Sequence, residues 1–323
     1  MLTDHFGRRF YYLRLSITDV CNFSCRYCLP DGYQCDTERN FLSVPEIARL
    51  ARGFAQLGTE KIRITGGEPS LRKDLPEIIA ICKQTHGIKQ VAITSNGFNL
   101  PKHLPLWLDA GIDAINISID SLDARQFQAI TGHDKLHTIM RGIDMALADG
   151  RPKIKVNTVL MREFNGKNLQ QFLAWLKDKP ITLRFIELMQ TGDNHIFFEQ
   201  QHVSGEMLKQ QLLSSGWLPE LRDKTAGPAQ EFYHPDYLGK IGLIMPYSQD
   251  FCSSCNRLRV SALGNLHLCL FSEQGLSLRE QLQTDATTPL TDKITALIGD
   301  KKVSHFLQQK LTGGTKHLAM LGG

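Results

Sequence analysis

Six short β-rich segments punctuate residues 13–188: LRLSIT (13–18), KIRITGG (61–67), QVAITSN (90–96), AINISID (114–120), KIKVNTVL (153–160) and ITLRFIEL (181–188). Helical patterns lie between them. In SVPEIARLARGFAQLG, Ser43 is placed as N-cap, Pro45 sits just inside the first turn and Gly58 follows the end. DLPEIIAICKQTHG reads as a second helix. Strands alternating with helices predict an α/β fold with a parallel sheet. Six such units fit an incomplete barrel or an open sheet.

The alternation inside the strands narrows this further. Arg14, Ser16 and Thr18 oppose Leu13, Leu15 and Ile17; Lys61, Arg63 and Thr65 oppose Ile62 and Ile64. Asn116, Ser118 and Asp120 oppose Ile115, Ile117 and Ile119; Lys155 and Asn157 oppose Ile154, Val156 and Thr158. Thr94 shares a side with Ala92 and Asn96. A parallel sheet covered on both faces reads as continuous apolar runs. With helices on the apolar face, the polar face is expected to line a wet cavity for a polar ligand.

With 323 residues, the chain can form one large domain or a large and a small one. Net charge is +4 with no polybasic run, so neither nucleic-acid binding through bulk charge nor a nucleic-acid partner is expected. No secretory signal and no apolar run long enough for a membrane span is seen, and a cytoplasmic location is expected. Eight cysteines are too sparse for a disulfide scaffold, and their clustering points to metal or redox chemistry. After residue 217 the rhythm breaks. LPELRDKTAGPAQEFYHPDYLGK reads as a connection into a smaller region, which divides the chain into 1–217 and 218–323.

Cys21, Cys25 and Cys28 form C-x3-C-x2-C directly after the first strand. Three thiolates can hold three irons of a cubane cluster and leave the fourth open to substrate, much as a catalytic zinc keeps one position free. A zinc site would need a second cysteine pair downstream, and none lies nearby. This triad, with Tyr27 inside it and TGGEP (65–69) about 40 residues on, resembles the radical S-adenosylmethionine (SAM) superfamily. The resemblance implies an incomplete (β/α)6 TIM-like barrel with a [4Fe-4S] cluster at its open top. It also implies SAM chelating the open iron, and reductive cleavage to a 5′-deoxyadenosyl radical that takes a substrate hydrogen.

Cys252, Cys255 and Cys269 form a second group, C-x2-C-x13-C, with arginines among them. Three readings are open at this point: a zinc site completed by His267, a four-ligand cluster completed by a distant residue, or a second cluster with an open iron. Cys35 and Cys82 are the spare cysteines; Cys82 falls in an apolar helical pattern and reads as core. The two three-cysteine groups, CNRLRV around the second and the Gly-Gly terminus are similar to the GTP 3′,8-cyclase family, which acts first in molybdenum cofactor biosynthesis. That resemblance implies two [4Fe-4S] clusters, the second with an open iron that the guanine of GTP coordinates. It implies SAM contacts at Tyr27, Gly67, Ser118 and Met189. It implies GTP contacts at Arg14, Arg63, Thr94, Lys155, Arg257, Leu258 and Arg259, and a place in the active site for Gly322 and Gly323.

The implied partners are GTP, an external one-electron donor and, by product hand-over, cyclic pyranopterin monophosphate synthase; a homodimer is possible. A triphosphate carries up to about four negative charges and calls for converging Arg and Lys donors, which the polar strand faces supply. The resemblance makes Glu68 a structural or SAM-positioning carboxylate, and neither Glu68 nor Asp120 is read as a proton donor. Two other readings are kept: a radical SAM peptide-modifying enzyme, which would carry more C-terminal cysteines, and a zinc-stabilised nucleic-acid binder.

Overall fold

The computed structural model describes residues 1–35, 39–166 and 168–322. The six expected strands form, each ending within two residues of its expected bounds: β1 (Tyr12–Ser16), β2 (Lys61–Thr65), β3 (Gln90–Ser95), β4 (Ala114–Ser118), β5 (Lys153–Leu160) and β6 (Thr182–Glu187). They pair in parallel and in chain order. Their apolar positions, among them Leu13, Leu15, Ile62, Ile64, Ile115 and Val156, are fully buried. They share one core with Ile47, Leu50 and Phe54 of α1 (Val44–Gln56) and Ile78 and Ile79 of α2 (Leu75–Gln84). Burying each such side chain contributes about 1.5–3 kcal/mol. The start of α1 is fixed by a capping box, with the Glu46 carboxylate accepting from the Ser43 amide at 2.8 Å and the Ser43 hydroxyl accepting from the Glu46 amide at 3.4 Å.

The polar strand faces turn inward together, because pairing puts like positions side by side. Arg14 lies opposite Arg63, Thr94 opposite Asn116, Asn116 opposite Lys155 and Asn157 opposite Arg184. The result is a barrel of six parallel strands with a polar interior.

The C-terminal part extends this sheet at both edges. β7 (Leu218–Pro219), β8 (Gln230–Tyr233) and β9 (Lys240–Ile244) continue it beyond β6, and β9 runs parallel to β6. β10 (Arg257–Val260), β11 (Asn265–His267) and β12 (Leu276–Ser277) continue it beyond β1, and β10 runs parallel to β1. The stretch expected to be a connection therefore contains strands. Pro219 ends the two-residue β7, and the other prolines and the glycines flank a four-residue β8, too short for alternation to show.

β9 leaves the sheet at the C-terminal end of the barrel strands, and β10 enters at the N-terminal end. Residues 245–256 must then cross the open side of the barrel from one end to the other. Among the described residues no helix is long and apolar enough to cross a membrane.

Candidate active site

At the C-terminal end of the barrel, the chain after β1 stays bound to the turn after β2. The Gly67 amide donates to the Thr18 carbonyl at 2.9 Å and the Glu68 amide to the Val20 carbonyl at 2.8 Å. A Cβ on Gly67 would lie 2.3 Å from the Val20 oxygen, so only glycine permits this approach. The fully buried Glu68 carboxylate accepts from the Ser70 amide (2.9 Å), the Ser95 hydroxyl (2.8 Å) and the Asn96 amide (2.6 Å). The Asn96 side chain donates to Asn22 at 2.9 Å, inside the cysteine loop. Glu68 thus ties together the elements that carry Cys21, Cys25 and Cys28, and none of its contacts suits proton transfer.

The three thiols lie near enough to act on one another electrostatically. Burial pushes Cys28 up to about 12 and Cys21 up to about 11; at Cys25 burial and then Asp120 and the other two thiols raise it well above the ordinary range. Such a group gives up its protons together only to a strongly cationic metal centre. Beside it, the Tyr27 hydroxyl donates to Asp120 Oδ2 at 2.9 Å, and Asp120 Oδ1 accepts from the Val159 amide at 2.8 Å. Burial raises Asp120 to about 6. Ser118, at the end of β4, is half-buried two residues before it.

Deeper in the barrel a cavity is lined by Tyr12, Arg14, Arg63, Asn116, Asn157 and Arg184 on the strand side. Arg257 and Arg259 extend that strand side, since β10 pairs with β1, and Cys252, Cys255, Cys269 and Met189 line the same cavity. Several wall atoms are buried without any hydrogen bond: Nε of Arg63 and Arg184, both amide atoms of Asn116, and Oδ1 of Asn157. Native interiors rarely leave such groups unpaired, so this wall is shaped for a polar, anionic ligand. Charge crowding agrees. Burial raises the Tyr12 phenol, but Arg63, Arg14, Lys61 and Arg184 outweigh it and bring the group to about 7. Burial and then Arg257 lower Arg259 to about 10.

Residues 15–176 match the family described as the radical SAM superfamily, and residues 181–307 match the one described as Molybdenum Cofactor Synthesis C. The chain belongs to the radical SAM superfamily. Its fold is similar to crystal structures of SuiB from Streptococcus suis. The one bound to S-adenosylmethionine has a TM-score of 0.60 at 11% identity, over 89% of this chain and 68% of that one. The one bound to the precursor peptide SuiA has a TM-score of 0.56 at 13% identity, over 90% of this chain and 67% of that one. At such identities the likeness concerns the fold.

The radical SAM fold accounts for the first triad, whose donors suit a [4Fe-4S] cluster with one iron free for SAM. At the second triad the environment differs. Burial raises the Cys255 thiol, but Arg257 and Lys301 outweigh it and pull it down to about 7. The zinc alternative through His267 finds no support. β11 ends at His267 and the chain bends, so His267 and Cys269 do not share a strand face. The imidazole packs over Gly275 instead, where a Cβ would meet it at 2.5 Å. Among the described residues no three His, Cys, Asp or Glu side chains are grouped to hold a single ion.

The remaining expected residues divide clearly. Gly322 reaches the barrel interior, where its carbonyl accepts from Arg14 Nη2 and, at 3.4 Å, from Arg259. Gly323 lies outside the described residues. Thr94 accepts from Arg63 Nη1 at 3.2 Å, and the Lys155 ammonium is bound to Glu231 at 2.9 Å. Leu258 differs from Arg257 and Arg259, which line the cavity. It sits between Arg257 and Arg259 on a strand, so its side chain points the other way, into the core beside Leu13. Cys82 is core, and Cys35 accepts from Arg39 Nε at 3.1 Å. Tyr12, Arg184 and Glu231 were missed. Thr182, Arg184 and Ile186 alternate with Leu183 and Phe185, so the signal for Arg184 was present.

Proposed function

We propose that this radical SAM enzyme is a GTP 3′,8-cyclase, converting GTP to 3′,8-cyclo-7,8-dihydro-GTP in the first step of molybdenum cofactor biosynthesis. In this reading residues 1–217 form the radical-generating barrel, and residues 218–323 add a second [4Fe-4S] cluster and much of the nucleotide site. The observation that carries it is that the unpaired atoms of Arg63, Arg184, Asn116 and Asn157 line one cavity together with Cys252, Cys255 and Cys269. The match of residues 181–307 to Molybdenum Cofactor Synthesis C supports the same reading.

When bound, the first cluster and SAM supply a carbon radical able to take a hydrogen atom from the substrate sugar. Cys21, Cys25 and Cys28 would hold that cluster, and Gly67, Ser118 and Met189 would contact SAM. Tyr27 and Asp120 hold each other in place beside it. Arg14, Arg63, Arg184, Arg257 and Arg259 bind the triphosphate, and fixed donors at the wall orient the sugar. Cys252, Cys255 and Cys269 would hold the second cluster, which would supply a binding point for the guanine. The backbone around Gly322 closes the site against water.

The test uses anaerobically reconstituted protein with SAM and reductant. GTP is expected to accelerate formation of 5′-deoxyadenosine, and a cyclised nucleotide should appear in equal amount. An unchanged rate with GTP would overturn the reading.

A further inference from the structure

The two cysteine groups lie in opposite electric fields. The charged groups acting on the first are carboxylates, Glu68 on Cys21 and Asp120 on Cys25. Those acting on the second are cations: Arg257, Lys301 and Arg8 on Cys255, and Arg259 beside Cys255 and Cys269.

Lys301 stands apart within this set. It is 5% exposed, and its ammonium donates to the carbonyl of Leu268, the residue before Cys269. It lies 5.5 Å from the centre of the Phe10 ring. Among the described residues it makes no ion pair. Arg8, in contrast, is paired with Asp4 at 2.7 Å, and its other donors hold the carbonyls of Cys252 (3.2 Å), Lys302 (2.7 Å) and Val303 (2.9 Å). A buried ammonium without a counter-ion is strongly unfavourable. The anionic charge within its reach is that of Cys255 and Cys269, both of which act on it electrostatically.

We propose that Lys301 is a positioning residue that raises the reduction potential of the cluster at the second cysteine group, so that this cluster accepts an electron before the one at the first. The inference rests on the two-cluster reading given above. Reduction transfers one electron from the external donor, which is oxidised, to the cluster, which gains one negative charge. A fixed buried cation stabilises the more negative form. Carboxylates beside the first group act in the opposite sense. Outer partners of this kind tune a metal centre without touching it.

The experiment is a redox titration of anaerobically reconstituted protein, without SAM or nucleotide, with dithionite as the probe donor and electron paramagnetic resonance as the readout. Protein with Cys21, Cys25 and Cys28 changed to serine identifies the signal of the second cluster. In the unaltered protein that signal should appear first. In Lys301→Met its reduction equilibrium should fall about tenfold, a shift of about 59 mV for one electron, while the first cluster's stays put. Lys301→Arg, which keeps the charge, should retain the original potential. An unchanged second-cluster potential in Lys301→Met, or reduction of the first cluster first in unaltered protein, overturns the inference. The second outcome does not depend on the Lys301 variants loading their clusters. Iron at about four per chain with a single signal would instead overturn the two-cluster reading itself, and the inference with it.

Discussion

Tyr12 is 2% exposed and has four cations acting on it, Arg63, Arg14, Lys61 and Arg184. They bring its phenol to about 7, against about 10 when unfolded. Because the folded value is the lower one, the stability this phenolate contributes is fully present above about pH 10 and is lost as pH falls through about 7. Tyrosine labelled with carbon-13 at Cζ should show one resonance titrating near neutral pH, absent in Tyr12→Phe. Inorganic triphosphate should move that midpoint upward by neutralising the arginines. A midpoint near 10 would show that the cations do not act as described. Gly322 tests the other side of the site. Its φ is +60°, and a Cβ would lie 2.1 Å from Thr65 Oγ1. Gly322→Ala should lower GTP-dependent 5′-deoxyadenosine formation at least about tenfold, with the melting temperature little changed, because the strain of roughly 1–2 kcal/mol is relieved by withdrawing the tail. Retained activity would show that the tail does not shape the site. None of this environment was visible in the neighbours of Gly322 in sequence, since its partners, Arg14 and Arg259, are remote along the chain.

Elements were more legible than their assembly. Repeated β-rich segments located all six barrel strands. Alternation of polar and apolar residues gave the cavity-facing side of β1 to β5 but was not followed on β6, and both signals follow from local geometry. It placed Arg14, Arg63 and Asn116 on one surface before any pairing was known. It could not show that β9 joins β6 or that β10 joins β1, since edge pairing depends on residues far apart in sequence. Glu231 illustrates the loss. It lies on the short β8, yet it binds Lys155 at 2.9 Å and Arg184 at 3.0 Å inside the barrel. Burial would raise its carboxyl, and those two cations hold it at about 2. Glu68 is the corresponding link at the opposite rim, joining the ends of β2 and β3 to the first cysteine loop. Glu68→Ala strips three donors, one of them fully buried, of their acceptor and should cost about 2–4 kcal/mol in urea unfolding. A loss below about 1 kcal/mol would mean the rim is held mainly by its backbone contacts.

At the scale of the whole molecule, one sheet crosses the division expected at residue 217. A fragment of residues 1–217 would expose the edges of both β1 and β6, with rows of unpaired backbone groups. Such a fragment should aggregate or remain unfolded, whereas the intact chain should unfold as one unit. A soluble, cooperatively melting fragment would show that the C-terminal strands are an addition rather than part of the barrel.

The crossing segment, residues 245–256, has a consequence for exposure to oxygen. It carries Cys252 and Cys255, while Cys269 follows β11 on the far edge. A cluster held by all three would work as a clasp, fastening the loose panel of the barrel to its neighbour with iron–sulfur bonds where no ladder of hydrogen bonds runs. Oxidative loss of that iron would then do more than silence a redox centre. It would unlatch the wall of the chamber, and hydrogen exchange in residues 245–256 should report the opening while the six barrel strands stay protected.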